Sequence, residues 1–544
     1  MSSRINKACD GCRVRKVKCS GALPCSQCAH LDLPCHFSPP SGKRKPGVRN
    51  RLVEQLREQN AHQPHQPHQP YGSYPPLTPT VTSAVPAVTS VAGIINPDLP
   101  ATSPSTSSTT TTESYSPDFF IRLLPDFEAI VYPVSPIITP DELRDAISTM
   151  HATHEDAALV YGFAAVTINL SQTSSWTIIN GDVSAQVTDL MQRSLAAHRM
   201  ADLGPGPGPM LGELSITVKR IMTCIFLEIS MMAFRLFQRS FVILREAISL
   251  LQSLKIFQYP DTDDLAAAAL DRREIARRQR LYWECFIHER FVNIMSGCPS
   301  VLPPLSTGPP IPDPSIPPYV DLGFRRLLLL FAIMDDSFLS HWNAQQDPGL
   351  HVPEPMTAQW IEHKQAELDR HEADTAAEED HLRSAQGTGL TELQHADLFV
   401  TRLWLRTLVW QLALSNRLLC SALPETAHQG LSLHFPANRL SAQLRSLVSR
   451  LESVASIGTH GSGILQKLFE VTTTVADVLA LPPGQTATQE DVKARMEDFL
   501  FLVGFLFRFE RISKEEREYM RQKLEVLQHL YTVVDFGNLA VRSA

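Results

Sequence analysis

The chain has 544 residues, of which 43% are hydrophobic and 19% charged, and its formal net charge is −8. This length suffices for two or three domains with a large core. The longest apolar runs, residues 327–334 and 499–507, are too short to span a bilayer, so we expect no membrane-spanning helix. The basic N-terminus lacks the apolar stretch of a secretory signal, so we expect the protein inside the cell.

Positive charge and cysteine are concentrated at the start of the chain. Residues 1–57 contain 12 Lys or Arg and three acids, a net charge of +9 that leaves −17 for the remainder. Six of the ten cysteines lie in the same segment, at Cys9, Cys12, Cys19, Cys25, Cys28 and Cys35. In a reducing compartment such a dense cluster favours a metal site over a disulfide framework.

The six cysteines form two copies of C-x2-C-x6-C, joined by a five-residue loop. Zinc prefers four tetrahedral ligands, and a C-x2-C pair brings two thiolates to the same ion. Six sulfurs give each of two ions four ligands only if two sulfurs bridge both. Because thiolates fill every position, the sequence indicates structural zinc rather than a catalytic site.

The segments between the cysteines differ in charge. The first segment, residues 13–18, carries four basic side chains, at Arg13, Arg15, Lys16 and Lys18. The second segment, residues 29–34, contains Asp32 and no Lys or Arg, so only the first half can face a polyanion. Lys43, Arg44 and Lys45 extend the basic surface, and we expect them to contact phosphates, to act in nuclear import, or both.

Residues 9–19 contain the full motif C-x-x-C-R-x-[RK]-K-x-[RK]-C, and the whole region resembles the fungal Zn(2)Cys(6) binuclear cluster family. The resemblance implies two zinc ions per chain, bridged by Cys9 and Cys25, and a first helix that enters the major groove of DNA. It also matches Pro24 to a proline whose peptide bond is cis in some members. The function implied is a nuclear, sequence-specific regulator of RNA polymerase II transcription.

Roles for the basic residues follow from the same resemblance. Lys16, with Arg15 beside it, corresponds to the reader of CGG triplets, and its ammonium suits the O6 and N7 acceptors of guanine. Arg13 and Lys18 are assigned to phosphates, which supply affinity without sequence information.

The following residues have the composition of a linker. Residues 51–60 provide only about one and a half heptads for a coiled coil, so both a homodimer on two half-sites and a single half-site stay open. A repeat, HQPHQPHQP, occupies residues 62–70, and 26 of the 46 residues from 71 to 116 are Ser, Thr or Pro. We expect residues 61–116 to be a disordered tether.

Helical periodicity dominates from residue 117 onward. Phe241, Leu244, Ile248 and Leu251 fall on one face of a helix, and similar stripes occur at residues 277–294, 324–342, 397–420, 440–455 and 491–509. No alternating strand pattern persists, which predicts an all-α body.

Four segments are therefore expected. They are a small zinc binuclear cluster domain of two helix-loop halves (5–38), a basic linker with a short helix (39–60), the disordered linker (61–116) and a large all-α regulatory domain (117–544).

Residues 277–290, followed by Gly297, Cys298 and Pro299, resemble the fungal-specific transcription factor domain, or middle homology region, with Cys298 in place of the usual arginine. The resemblance implies an inhibitory scaffold that responds to a small-molecule effector. Residues 335–343 look most like regulators of maltose and amylolytic genes. We interpret the acidic residues 372–380 as a solvated helix face. Residues 499–507 are interpreted as a buried helix, with part of an activation surface that includes Asp491, Glu497 and Asp498 as the alternative.

The preferred interpretation is an activator that reads CGG elements, contacts the transcription machinery and controls a secondary-metabolite gene cluster. Carbohydrate utilisation genes are the alternative targets. A zinc-thiolate redox or protein-interaction module is an alternative from another class of protein, but it leaves the charge difference between the two cysteine segments unexplained. An enzyme is disfavoured, because no H-E-x-x-H, G-x-S-x-G or phosphate-loop motif occurs.

Overall fold

The computed structural model describes residues 8–14, 17–31, 33–37, 115–171, 182–202, 216–258, 271–346, 354–451, 461–482, 487–509 and 511–531. The chain divides into two compact units, residues 1–87 and residues 88–544. The predicted basic linker, the short helix at 51–60 and the tether up to residue 114 lie outside the described residues.

Two one-turn helices form the described part of the first unit, and each begins at a C-x2-C pair. Helix α1 spans Asp10–Val14 and helix α2 spans Ser26–His30. Cys25 caps α2, because its side chain accepts the backbone N–H of Cys28 while its own backbone is extended. Apart from cysteines, the buried apolar side chains described here are Val17 and Leu31, so the hydrophobic core is minimal.

The second unit is mostly helical in its described residues, as predicted, and its β structure there is limited to an isolated bridge between Cys420 and Ser432. Its first helices are α3 (Pro117–Ile121), α4 (Leu124–Asp126), α5 (Pro140–Thr149), α6 (His154–Ser171), α7 (Val183–Met200), α8 (Val218–Ala233), α9 (Phe237–Ser253) and α10 (Arg272–Ser296). In the part of the chain that is described, no helix has the length and apolarity needed to cross a membrane.

The remaining helices are α11 (Pro318–Ala332), α12 (Asp336–Gln346), α13 (Ala358–Gln386), α14 (Glu392–Ser415), α15 (Ser441–Arg450), α16 (Gly461–Leu479), α17 (Gln489–Leu506) and α18 (Lys514–Leu530). Short π or 3-10 turns lie at Phe127–Val131, Ile256–Gln258, Gln429–Leu431 and Pro436–Leu440.

Local sequence signals determine where many of these helices begin. At α5, the Thr139 side chain accepts the N–H of Glu142 while the Glu142 carboxylate accepts the N–H of Thr139. This reciprocal capping box satisfies backbone donors that the first turn leaves without partners, and Pro140 follows at the first helical position. Thr391 caps α14 in the same way through Gln394.

The helices of the second unit pack as two groups. Helices α6 to α9 pack against one another, and α11, α13, α14 and α16 form the second group with α17 and α18 at its edge. Helix α8 contacts α16, and α10 contacts both α9 and α11, so these helices join the groups. In α10, seventeen of 25 residues are buried, which is the pattern of a helix surrounded by protein.

The predicted stripe at residues 324–342 is wrong as a single helix. Helix α11 ends at Ala332 and α12 begins at Asp336. Between them, the Asp335 carboxylate accepts the N–H of Phe338, which caps a new helix and interrupts the apolar pattern.

Two predictions about the later helices have different outcomes. Residues 499–506 do lie in a helix packed into the core, with Phe499, Val503 and Phe505 buried in α17, and Phe507 is the C-cap residue of this helix. The acidic residues 372–380 of α13 are only partly a solvated face, because Glu379 is buried. Its carboxylate pairs with Arg383 and His395, which compensates for the loss of water.

The structured part of the second unit includes two residues that the sequence assigns to the linker. Tyr115 is buried, its hydroxyl donates to Asp189 at 2.9 Å, and its ring packs near Tyr161. Ser116 caps α3 by accepting the N–H of Phe119. Composition alone does not reveal such contacts. The predicted start of the all-α domain at residue 117 is therefore two residues late.

A buried acid and its neighbouring arginine organise the proline-rich segment after α10. Glu289 and Arg290 are each 1% exposed. Glu289 accepts the N–H groups of Val301 and Leu302 at 2.9 Å, and Arg290 donates to the carbonyl oxygens of Leu302 and Met334. The two side chains therefore supply hydrogen bonds to backbone groups that have no helix or sheet partner in this irregular segment.

Replacing Glu289 with Ala removes a buried charge that Arg290, Arg245 and two N–H groups depend on. We expect the free energy of unfolding of the second unit to fall by about 3–5 kcal/mol, because Arg290 and the two N–H groups stay buried without a partner carboxylate. Urea unfolding followed by circular dichroism measures this change. As a control, Arg144→Ala breaks an exposed pair with Asp141 and should cost less than about 1 kcal/mol. Equal costs for both variants would contradict the structural role of Glu289.

Candidate metal centre and nucleic-acid interface

The two halves of the cysteine region have the same local structure, repeated sixteen residues apart. The N–H of Cys12 donates to Cys9 Sγ at 3.3 Å, and the N–H of Cys28 donates to Cys25 Sγ at 3.4 Å. Two more bonds repeat in the same way, from Cys9 N to Cys19 Sγ at 3.4 Å and from Cys25 N to Cys35 Sγ at 3.2 Å. Backbone N–H groups thus point at sulfur in both halves, which favours the thiolate form.

The sulfur atoms converge without forming disulfides. The distance from Cys9 Sγ to Cys25 Sγ is 3.6 Å, and that from Cys12 Sγ to Cys25 Sγ is 3.4 Å. A disulfide bond is about 2.05 Å long, and all ten cysteines of the chain are free. The region therefore has the sulfur spacing of a metal site rather than that of a disulfide framework.

Two groups of four sulfurs can each surround one ion. Cys9, Cys12, Cys19 and Cys25 form one group and Cys9, Cys25, Cys28 and Cys35 form the other, with the ligand atoms of each group within 4.8 Å of one another. Cys9 and Cys25 belong to both groups. Four thiolates in a closed set suit structural zinc, so the residues present fit two zinc ions that share two sulfurs. The Leu23–Pro24 peptide bond beside this site is cis, as the resemblance suggested.

Electrostatics explain why these thiols need a cation. Burial raises the pKa of the Cys9 and Cys12 thiols, because a thiolate in this setting loses hydration beside other sulfurs. Burial acts in the same direction on Cys25, but hydrogen bonds from the Cys28 N–H and the neighbouring thiols outweigh it and lower the pKa of Cys25 to about 6. Two dications would offset four of the six negative charges that six crowded thiolates bring together.

The predicted DNA-contacting residues are described only in part. Lys18 is exposed and follows the buried Val17, which places its side chain on the surface of the first half. Arg13 lies in α1 on a described backbone, while Arg15, Lys16, Lys43, Arg44 and Lys45 lie outside the described residues. In the second half, α2 ends at the exposed His30 and carries no Lys or Arg.

The second unit contains a buried charged group that the sequence reasoning missed. His288 Nδ1 lies 2.8 Å from a Glu228 carboxylate oxygen, and His288 Nε2 lies 3.6 Å from Glu284 Oε1. Burial alone would lower the pKa of His288, but the two carboxylates outweigh it and raise that pKa to about 10. The i, i+4 spacing of Glu284 and His288 was the available signal, whereas Glu228 comes from a distant helix.

A third set of metal-ligand types, His198, Cys224 and Glu246, also lies within 4.8 Å. Both carboxylate oxygens of Glu246 accept hydrogen bonds from Arg199 at 2.8 Å, and Oε1 also meets His198. Burial would raise the pKa of Glu246, but these bonds outweigh it and lower the pKa to about 2. An arginine already balances this carboxylate, so the set is best explained as an ion-pair network.

Comparison with known proteins assigns the class of the N-terminal region. Residues 7–44 match the fungal Zn(2)-Cys(6) binuclear cluster domain family. This region is therefore a zinc-cluster domain, a DNA-binding module that holds two zinc ions. No solved structure matches the chain.

Among similar proteins are named fungal regulators. The maltose fermentation regulatory protein MAL13 of Saccharomyces cerevisiae is 45% identical over 53 residues, which are 10% of this chain and 11% of the relative. The notoamide biosynthesis transcriptional activator notL' of Aspergillus versicolor is 34% identical over 55 residues, 10% of this chain and 9% of the relative. An ABC-transporter-regulating transcription factor of Aspergillus fumigatus is 41% identical over 54 residues, 10% of this chain and 6% of the relative. The matched segments thus span about a tenth or less of each relative.

Zinc content tests the shared sulfurs. Cys9→Ala should reduce bound zinc from two ions to fewer than one per chain, because Cys9 belongs to both four-sulfur groups and neither ion keeps its full set. Metal analysis by plasma mass spectrometry after gel filtration gives the stoichiometry. The control, Cys420→Ala, removes an exposed cysteine outside both groups and should leave two ions bound. Two zinc ions retained by the Cys9 variant would show that Cys9 is not shared.

Proposed function

We propose that this protein is a sequence-specific DNA-binding transcription regulator, acting in the nucleus through its zinc-cluster domain. The observation that carries the proposal is the pair of four-sulfur groups that share Cys9 and Cys25, within a region matched by the zinc-cluster family. The confinement of positive charge to one half supports a single DNA-facing side.

In this proposal six cysteines hold two zinc ions. Cys9 and Cys25 would contribute to both sites, Cys12 and Cys19 would complete one site, and Cys28 and Cys35 would complete the other. The zinc supplies folding free energy and no catalytic chemistry, since each set of four ligands leaves no position for water or substrate. Its function is to hold α1 in the orientation in which the basic side chains reach DNA.

The basic side chains divide into readers and anchors. Lys16, assisted by Arg15, reads guanine O6 and N7 in CGG elements. Arg13 and Lys18 bind phosphates, and Lys43, Arg44 and Lys45 extend the phosphate contacts along the backbone. The exposure of Lys18 and the lack of basic residues in α2 support the placement of these contacts on the first half.

The rest of the chain regulates the zinc-cluster domain. We assign residues 5–38 to the cluster domain, 39–60 to a basic linker, 61–116 to a tether whose last two residues pack on the helical unit, and 117–544 to a middle homology-type regulatory domain. Contact with the transcription machinery and response to a small-molecule effector belong to this domain. If residues 51–60 pair two chains, the protein reads two half-sites as a homodimer.

For the pathway, we propose activation of a secondary-metabolite gene cluster. The relative named as an activator of notoamide biosynthesis supports this choice, and the relative named for maltose fermentation supports carbohydrate genes as the alternative. Genome-wide occupancy of the tagged protein in its host decides between them. Peaks over CGG elements beside biosynthetic genes support the proposal, whereas the absence of specific peaks overturns the regulator function.

Base reading and phosphate binding separate in two matched variants. Lys16→Ala should lower the preference for a CGG duplex over a scrambled duplex by about 1–3 kcal/mol, because bidentate contacts to guanine are lost. Lys18→Ala should instead weaken both duplexes equally and reduce the salt slope of binding by about one. Fluorescence anisotropy at several salt concentrations measures both effects. Unchanged discrimination in the Lys16 variant would assign base reading to another residue.

A further inference from the structure

A cavity of about 170 Å³ lies in the helical unit where α6, α8, α10, α11, α14 and α16 approach one another. Apolar side chains form most of its wall, among them Ile130, Val134, Ile229, Met232, Ile287 and Phe331. Val134 and Ile229 are only half-buried, so the cavity reaches the surface. An apolar cavity of about 150 Å³ holds a benzene molecule, so this one accommodates one ring with a short substituent.

The charges around the cavity balance. They comprise three carboxyl groups and three basic groups, from Glu228, Glu284, Asp397, His288, Lys467 and Arg511, the last of which is hydrogen-bonded to the wall residue Asn169. His288 pairs with both glutamates, at 2.8 and 3.6 Å, and Lys467 Nζ lies 3.7 Å from Asp397. A charged ligand would therefore add a charge for which these groups offer no counterpart, whereas an uncharged ligand needs none.

Two buried polar atoms on the wall have no hydrogen-bond partner among the described residues. They are Ser135 Oγ and Asn169 Nδ2, in residues that are 4% and 5% exposed. Arg511 donates to Asn169 Oδ1 at 3.1 Å, which fixes the amide and makes its NH2 group the available donor. Leaving a buried donor unpaired costs free energy, and a ligand with an oxygen acceptor would recover it.

We infer that this cavity binds an uncharged ring compound with a carbonyl oxygen, with the ring among the apolar side chains and the oxygen accepting a hydrogen bond from Asn169. The apolar wall favours the ring, the orphaned NH2 group favours an acceptor oxygen, and the balanced charges select against both cations and anions of the same shape. The binding stands on the cavity alone, whereas its meaning as effector recognition rests on the proposed function.

The probes are three planar molecules of nearly equal shape and different charge: acetophenone, benzoate and benzamidine. Saturation-transfer NMR titration of the full-length protein with neutral acetophenone should show saturable binding at about millimolar concentration, as expected for a ligand of this size. Anionic benzoate and cationic benzamidine should each bind more weakly by about tenfold or more, because each brings an unpaired charge into the cavity. No saturable binding of acetophenone, or an equal affinity for either ion, overturns the inference.

A fourth probe and one substitution test the hydrogen bond. The hydrocarbon α-methylstyrene has the shape of acetophenone with a CH2 group in place of the oxygen, so it accepts no hydrogen bond. Asn169→Asp keeps the shape of the side chain and an acceptor for Arg511, but replaces the NH2 donor with an oxygen. It should weaken acetophenone binding by about tenfold and leave α-methylstyrene binding within about twofold. Equal effects on the two probes overturn the assignment of Asn169.

Two further variants locate the site. The matched control Asn438→Asp makes the same change at an exposed position away from the cavity wall and should leave both affinities within about twofold. Val134→Phe fills the cavity without altering a charge and should abolish binding of both probes, which tests the cavity independently of the Asn169 variant. Unchanged binding to the Val134 variant overturns the location of the site.

The same protein preparations are then titrated with a CGG duplex. A protein that binds the duplex and not acetophenone contradicts the cavity inference and leaves the DNA-binding proposal intact. A protein that binds acetophenone and not the duplex does the reverse.

Discussion

The mutual approach of six cysteine sulfurs is the constraint on which the N-terminal unit depends. Val17 and Leu31 are its buried apolar side chains in the described region besides cysteine, and so small a core cannot offset the entropy of ordering the chain. The sulfurs lie 3.4 to 3.6 Å apart at the closest pairs, a spacing that concentrates negative charge once they ionise. Metal binding would therefore supply the folding free energy, and we expect α1 to keep its shape only while both ions are held.

Duplication explains how so short a chain makes two sites. The same N–H to sulfur bonds recur sixteen residues apart, so Cys9 and Cys25 hold equivalent positions and belong to both four-sulfur groups. Structural equivalence leaves the surface residues free to differ. The segment between Cys12 and Cys19 carries four basic side chains and the segment between Cys28 and Cys35 carries none, so a repeated scaffold has its positive charge in one half.

How far the sequence predicts the molecule depends on how local the determining interaction is. Cysteine spacing and helical periodicity are local, and they predicted the zinc-cluster fold and the helical body. The break at Asp335 and the buried Glu379 depend on where one carboxylate points, which periodicity does not encode. Tyr115 and Asp189 are 74 residues apart, and Glu228 and His288 are 60 apart, so these contacts follow from the three-dimensional packing of helices.

A cavity lined by both apolar and charged side chains lies where the two helix groups of the second unit meet. Glu228 belongs to α8 in the first group, Lys467 to α16 in the second, and Glu284 and His288 to α10 between them. His288, when charged, reduces the repulsion between the Glu228 and Glu284 carboxylates from different helices and so favours the packed arrangement over a looser one. A ligand shifts such an equilibrium only by its difference in affinity for the two arrangements. The carboxylates come from α8 and α10, and the neighbouring wall comes from α16. Separating these helices would dismantle the site, so a ligand of this cavity would bind the packed arrangement more tightly than a looser one.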